Sequence, residues 1–130
     1  MPNFQYTGCD CQTIIISFEN DVLLQQQSKQ GIYQRVGKVN GKTSWISSSG
    51  HALWYTLEYS YWIIGNDLGT TYGGIASLND QGISSCPYSV PNDEWKYWNT
   101  NDWIIADAND VSIECLAGND NSLLIMNTCE

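Results

Sequence analysis

Between Gly31 and Cys115 the chain repeats one kind of segment, a short aromatic and β-branched run closed by a Gly or Asn-Asp turn: VNGKTSW, LWYTL, YWIIGNDLG, WKYWNTNDWII and VSIEC. Runs of this length and residue type are strands, and the punctuation between them is turn chemistry. The chain is therefore expected to be all-β, a compact antiparallel sandwich or small barrel of about nine or ten short strands. Trp and Tyr supply most of the core volume in such a module.

A pass along the residues places the elements. Gln12 to Phe18 reads as a strand whose consecutive Ile14, Ile15 and Ile16 need cover on both faces, so it should pair centrally. Asn20 to Gly31 reads as the one short helix, with Asn20 as cap, Asp21 at the positive end of the dipole, Lys29 in the last turn and Gly31 as terminator. Ile32 to Val39 and Lys42 to Ser47 flank Asn40-Gly41, the dipeptide best suited to the two positive φ values of a type I′ hairpin. Further strands are expected at Ala52 to Leu57, Tyr61 to Ile64, Ile75 to Leu78, Glu94 to Trp98, Asp102 to Ile105 and Val111 to Cys115, with an edge strand at Ser122 to Met126. One domain spans residues 1–130, with its core at roughly 9–115 and a C-terminal edge or tail at 116–130.

Charge excludes some partners. Fourteen acidic residues against five basic ones give a formal net charge of -9, which repels phosphate backbones and anionic headgroups. Nucleic acid is therefore not an expected partner. The longest apolar runs, Ile14 to Ile16 and Trp62 to Ile64, are strand-sized, so membrane insertion is not expected. No signal-peptide pattern opens the chain and no Asn-x-Ser/Thr sequon occurs in it.

The five cysteines, Cys9, Cys11, Cys86, Cys115 and Cys129, match no zinc spacing, and His51 is the only imidazole. No metal or other cofactor is expected. Cysteines spread to both ends of a chain poor in Lys suggest an extracellular or cell-surface protein with disulfides. The odd count leaves one thiol over, either bonded to another chain or buried. Cys9 and Cys11 are too close to bridge one another without strain, so each should reach a distant partner.

Catalytic chemistry has little to stand on. His51 lies on a turn without a nucleophile motif, and Glu58, Glu94 and Glu114 are isolated acids rather than a defined carboxylate pair. Asp102, Asp107 and Asp110 are the nearest approach to a calcium set, without the spacing of a calcium loop. Asn-Asp pairs elsewhere serve as turn formers. Aromatics remain. Adjacent rings such as Trp54-Tyr55, Tyr61-Trp62 and Tyr97-Trp98 point to opposite sheet faces, so some should be exposed. Trp45, Tyr61 and Trp98, each beside polar or turn residues, are the candidate binding residues.

Taken in order, Gly31-Ile-Tyr33, Val39-Asn-Gly41 through Trp45, Leu53-Trp-Tyr55, Trp62-Ile-Ile-Gly65, Leu68-Gly69, Cys86-Pro87, Trp95-Lys-Tyr-Trp98 and Val111-Ser-Ile-Glu-Cys115 resemble a Trp/Tyr-rich module that recurs in extracellular and cell-surface proteins of aquatic invertebrates and protists. The likeness covers about two thirds of the chain. It implies a secreted, disulfide-containing β domain used for interaction or assembly, without catalytic activity. It retains Cys86 and Cys115, which lie at the ends of segments in the second half, and these two are expected to pair. The Cys9-Asp-Cys11 segment and the Cys129 tail depart from the module and bring intermolecular bonding into play.

The expected function is accordingly a non-enzymatic extracellular interaction or assembly module that binds other protein modules or copies of itself. A lectin-like domain that binds glycans through its aromatic rings is the alternative.

Overall fold

The computed structural model describes Cys9, residues 11–70, residues 73–78 and residues 86–116. Nine strands form one antiparallel sheet: β1 (Thr13–Phe18), β2 (Gly31–Val39), β3 (Lys42–Ser47), β4 (Ala52–Thr56), β5 (Tyr61–Gly65), β6 (Ile75–Ser77), β7 (Trp95–Trp98), β8 (Trp103–Ile105) and β9 (Val111–Cys115). The one helix, α1 (Asn20–Gln26), runs on into a 3-10 turn at Gln27–Lys29. The expected strand at Ser122 to Met126 lies outside the described residues.

Local chemistry accounts for most of these elements. Val39 pairs with Lys42 across a two-residue turn, and Asn40 (φ 56°) and Gly41 (φ 84°) both take the left-handed conformation that a type I′ turn requires. The Asn40 amide also donates to the carbonyl of Tyr55 at 2.7 Å, which ties the tip to β4. The register between β2 and β3 shifts between Arg35 and Gly37, so the hairpin carries a bulge. The helix start differs from expectation. Glu19 occupies the cap position and makes no side-chain cap bond, whereas Asn20 is itself left-handed at φ 56°. Its amide is used elsewhere, donating to Asp110 Oδ1 at 3.0 Å. Gly31 opens β2 instead of closing the helix.

Strand order is β8-β7-β6-β5-β4-β3-β2-β1-β9, a meander through β8 followed by a return that lays β9 beside β1. Residues 106–110 must therefore join strands at opposite edges of the sheet. Laid flat, nine strands would hold those edges about 38 Å apart, while the link from Ile105 to Val111 reaches at most about 22 Å at full extension. The sheet has to curl, and it forms a half-barrel. α1 lies across the opening, packed against β1 near one margin and β7 near the other.

The concave face carries the main core. Ile14, Ile16 and Phe18 of β1, Tyr33 of β2, Trp45 of β3, Leu53 and Tyr55 of β4, Trp62 and Ile64 of β5, Ile75 of β6, Trp95 and Tyr97 of β7 and Val111 of β9 surround Val22 of the helix. Burying the larger of these side chains contributes about 1.5–3 kcal/mol each. Gln26, buried on the helix, donates through Nε2 to the carbonyl of Trp98 at 2.8 Å. The pair Gly73-Gly74 makes room here: a Cβ on Gly74 would strike the Gln26 amide, and one on Gly73 would come 2.5 Å from Ile63. A second cluster, on the convex face, joins Ala52, Trp54, Tyr61, Ile63 and Ala76. Trp54 is enclosed there and donates from its indole to the carbonyl of Thr70 at 2.9 Å.

Two disulfides tie the curl together. Cys9 is bonded to Cys86 and Cys11 to Cys115, so the expected Cys86–Cys115 pairing is wrong. The cause is topological. β9 returns to β1, which brings Cys115 opposite Ile14, close to Cys11 just before β1. Cys9 then lies within reach of Cys86. Both bonds indicate an oxidising, extracellular-type environment, and they leave Cys129, outside the described residues, as the odd cysteine.

Replacing Gly41 by Val should lower stability by about 1–3 kcal/mol, the cost of forcing a β-branched residue into left-handed backbone; an unchanged urea midpoint would contradict the type I′ turn. Peptide mapping without reduction should recover Cys11 joined to Cys115. Removing that bond, which closes a loop with a sequence separation of 104, should cost about 4–5 kcal/mol in the chain-entropy description.

Candidate interaction site

The three aromatic candidates separate once burial is known. Trp45 is fully enclosed, its indole donating to the carbonyl of Cys11 at 2.9 Å. It is a core residue that anchors the disulfide-bearing N-terminal segment, and it is removed from the binding candidates. Polar neighbours in sequence suggested exposure, but Trp45 pairs with Leu53 on the concave face. Tyr61 keeps only 9% of its surface exposed. Its ring stacks on Tyr59 at 5.5 Å, and Lys96 Nζ sits 4.8 Å over the ring centroid. Trp98 alone is substantially open, at 38%.

Trp98 does not stand by itself. Opposite it on β8 is Trp103, equally exposed, with the two ring centroids 5.7 Å apart and nearly edge to face. Lys96, two residues before Trp98 on the same face of β7, also lies 5.0 Å from the centroid of Trp103. Its ammonium thus bridges Tyr61 and Trp103, which are on different strands. Burial under these rings lowers the Lys96 pKa. A convex-face row results: Tyr59, Tyr61, Lys96, Trp103 and Trp98.

β8 is the exposed margin of this row. All three of its residues are exposed, Ile105 most of all at 62%, and the strand is terminal in the sheet. Hydrogen bonds from Asn99 N to Asp102 O and from Ala106 N to Trp95 O bracket its pairing with β7. By the alternation of an antiparallel ladder, Ile104 bonds to β7, while the N–H and C=O groups of Trp103 and Ile105 point away from the sheet. No partner for them occurs among the described residues. The alternation of aromatic and polar residues places Trp103 in the core with Trp54, Trp62 and Trp95; those three are buried, but Trp103 is 38% exposed because β8 is a terminal strand. The closely spaced Trp98 and Trp103, flanking an Asn-Thr-Asn-Asp turn, are the signal in the sequence for the pair.

The remaining candidates fall elsewhere. Asp110 is buried and accepts from Asn20, Asp102 closes the β7–β8 turn through Asn99, and no group of three His, Cys, Asp or Glu residues among those described is arranged to hold a metal ion. Glu58 lies in the exposed turn after β4, while Glu94 precedes β7 and its carbonyl accepts from Leu78 N. Two surface clefts stand out, one of about 190 Å³ lined by Lys29, Asn66 and Asp67 among others, the second of about 380 Å³ lined by Gln12, Arg35, Val36, Gly37, Lys38 and Thr43. Neither contains Glu58 or Glu94. His51 accepts or donates at Nδ1 with Ser49 Oγ at 3.1 Å, and partial burial, with the Lys29 charge, depresses its pKa.

No protein-family model, no curated protein and no solved structure matches this chain.

Alkaline pH provides a check on the packing around the site. Burial raises the pKa of Tyr33, whose hydroxyl donates to Lys29 O at 2.7 Å, and burial, with Tyr59 and Glu58 nearby, raises that of Tyr61. A raised folded pKa contributes stability that is intact below the unfolded value of about 10 and is lost as pH climbs through the folded one. Stability to urea should therefore fall above about pH 10. Tyr33→Phe should flatten that decline, and tyrosinate absorbance of the native protein should lag behind that of the urea-unfolded chain.

Proposed function

We propose that this chain is a non-enzymatic extracellular interaction module that captures extended protein segments by strand addition at β8. The observation that carries the reading is the edge itself: an exposed apolar strand whose outward backbone groups have no partner among the described residues, beside a Trp pair and a Lys-bridged aromatic row. Main-chain bonds to Trp103 and Ile105 would supply affinity, and the rings on the convex face would select apolar side chains at alternate positions of the incoming strand. The two disulfides and the likeness to an extracellular module support its placement outside the cell.

Glycan stacking has less support. A sugar needs an open ring face, and of Trp45, Tyr61 and Trp98 only Trp98 offers exposed surface, part of it turned toward Trp103.

Ile105→Pro is the discriminating variant. It deletes an outward N–H without touching the bonds of Ile104 to β7, and Pro is tolerated on an edge strand in that orientation. Peptides selected from a random display library against the native protein should be extended and apolar, and should bind Ile105→Pro about three- to tenfold more weakly, the worth of one hydrogen bond. Near-ultraviolet circular dichroism should be unchanged. Binders indifferent to both Ile105→Pro and Trp103→Ser would sink the reading, and glycan-array signals abolished by Trp98→Ala would put the lectin reading in its place.

A further inference from the structure

The charge of this acidic chain is not evenly spread. Four of the five basic residues, Lys29, Arg35, Lys38 and Lys42, lie between Val22 and Leu57, and none of the fourteen acidic residues does. Arg35, Lys38 and Lys42 all belong to the β2–β3 hairpin.

That hairpin also carries a local edge. β1 starts at Thr13, opposite Gln34, and Arg35 N donates to Gln12 O at 2.9 Å, so β2 runs beyond the described pairing with β1 from Val36 to Val39. Because Val39 and Lys42 bond to each other across the two-residue turn, the backbone groups of Lys38 point away from β3, toward the side that β1 does not reach. The overhang is exposed, Val36 at 53%. It borders the cleft of about 380 Å³, and the space over Gly37 is open.

β8 is its electrostatic opposite. Exposed Asp102 and Asp107 flank it, and all three of its residues, Trp103 to Ile105, are apolar. We propose that β8 of one copy docks antiparallel on the β2 overhang of a second copy, producing a head-to-tail assembly. This deepens the reading of β8 as an interaction edge and rests on it. With Trp103 opposite Lys38, both residues present outward backbone groups to each other. Ile105 then falls opposite Val36 and Asp102 beside Val39 and Lys42, while Asp107, past the end of β8, comes to the margin where Gln12 meets Arg35. The like net charge of the two copies opposes this little, since charges farther apart than about 8 Å are largely screened at physiological ionic strength. Pairing β8 with β8 would instead set Asp102 and Asp107 of the two copies near one another, which like-charge repulsion disfavours. A β8-to-β2 contact is heterologous and leaves one free edge at each end, so it propagates.

Sedimentation velocity of the full oxidised chain tests the arrangement. The native protein should show concentration-dependent species larger than a dimer that dissociate as salt is raised. Lys38→Glu/Lys42→Glu and Asp102→Lys/Asp107→Lys should each associate at least about tenfold more weakly. Mixed in equal amounts, they should regain growth beyond a dimer, because the native β8 of one meets the native β2 of the other and the two charge-reversed faces complement each other in turn. Either variant alone dimerising as well as the native chain would overturn the proposal, as would a native chain that stays monomeric at low salt or is held only by sulfated polysaccharide. If the native chain is monomeric yet binds extended peptides in an Ile105-dependent way, the β8 edge stands and only the identity of its partner as a second copy is lost.

Discussion

Ile105 and Val111 sit on strands at opposite margins of a nine-stranded sheet, yet only residues 106–110 separate them. That short tether makes a flat sheet impossible, and the other features follow from the curl it imposes. The concave face becomes an enclosed volume that Trp45, Trp62, Trp95 and Val22 fill. The helix finds its place across the opening, where Gln26 reaches β7 and Asn20 reaches Asp110. Cys11 and Cys115 come together because β9 has been brought back to β1.

Curling does not close the sheet. β7 and β1 are bridged by the helix and the disulfides lie at the N-terminal margin, but among the described residues β8 is left as an open strand. Proteins usually blunt such an edge with charge, Pro or a bulge. Here the charges, Asp102 and Asp107, are confined to its ends, and the strand between them is apolar. The aromatic row beside it is fixed by Lys96, so the surface is preorganised and not merely sticky.

Much of this was legible in the residues. Val39-Asn-Gly-Lys42 specified its hairpin because a type I′ turn needs positive φ at two positions, a demand few dipeptides meet. The remaining strands were marked by β-branched and aromatic runs between turn residues, and their boundaries fell within a residue or two. The helix was legible in outline but not at its start, because Asn20 serves a long-range bond to Asp110 in place of a local cap. Trp45 shows the limit for the site: alternation tells which side chains share a face, while the face that becomes the interior depends on which way the sheet bends.

Sequence by itself determined the all-β class and the strand boundaries, since both follow from local propensity and turn chemistry. Tertiary structure decided the cysteine pairing, the enclosure of Trp45, the exposure of Trp98 and Trp103, and the isolation of β8 as an edge. These are properties of residues far apart along the chain, such as Cys11 and Cys115 with a separation of 104. Their proximity was fixed by the return of β9 to β1, a long-range choice that no local pattern of side chains encodes.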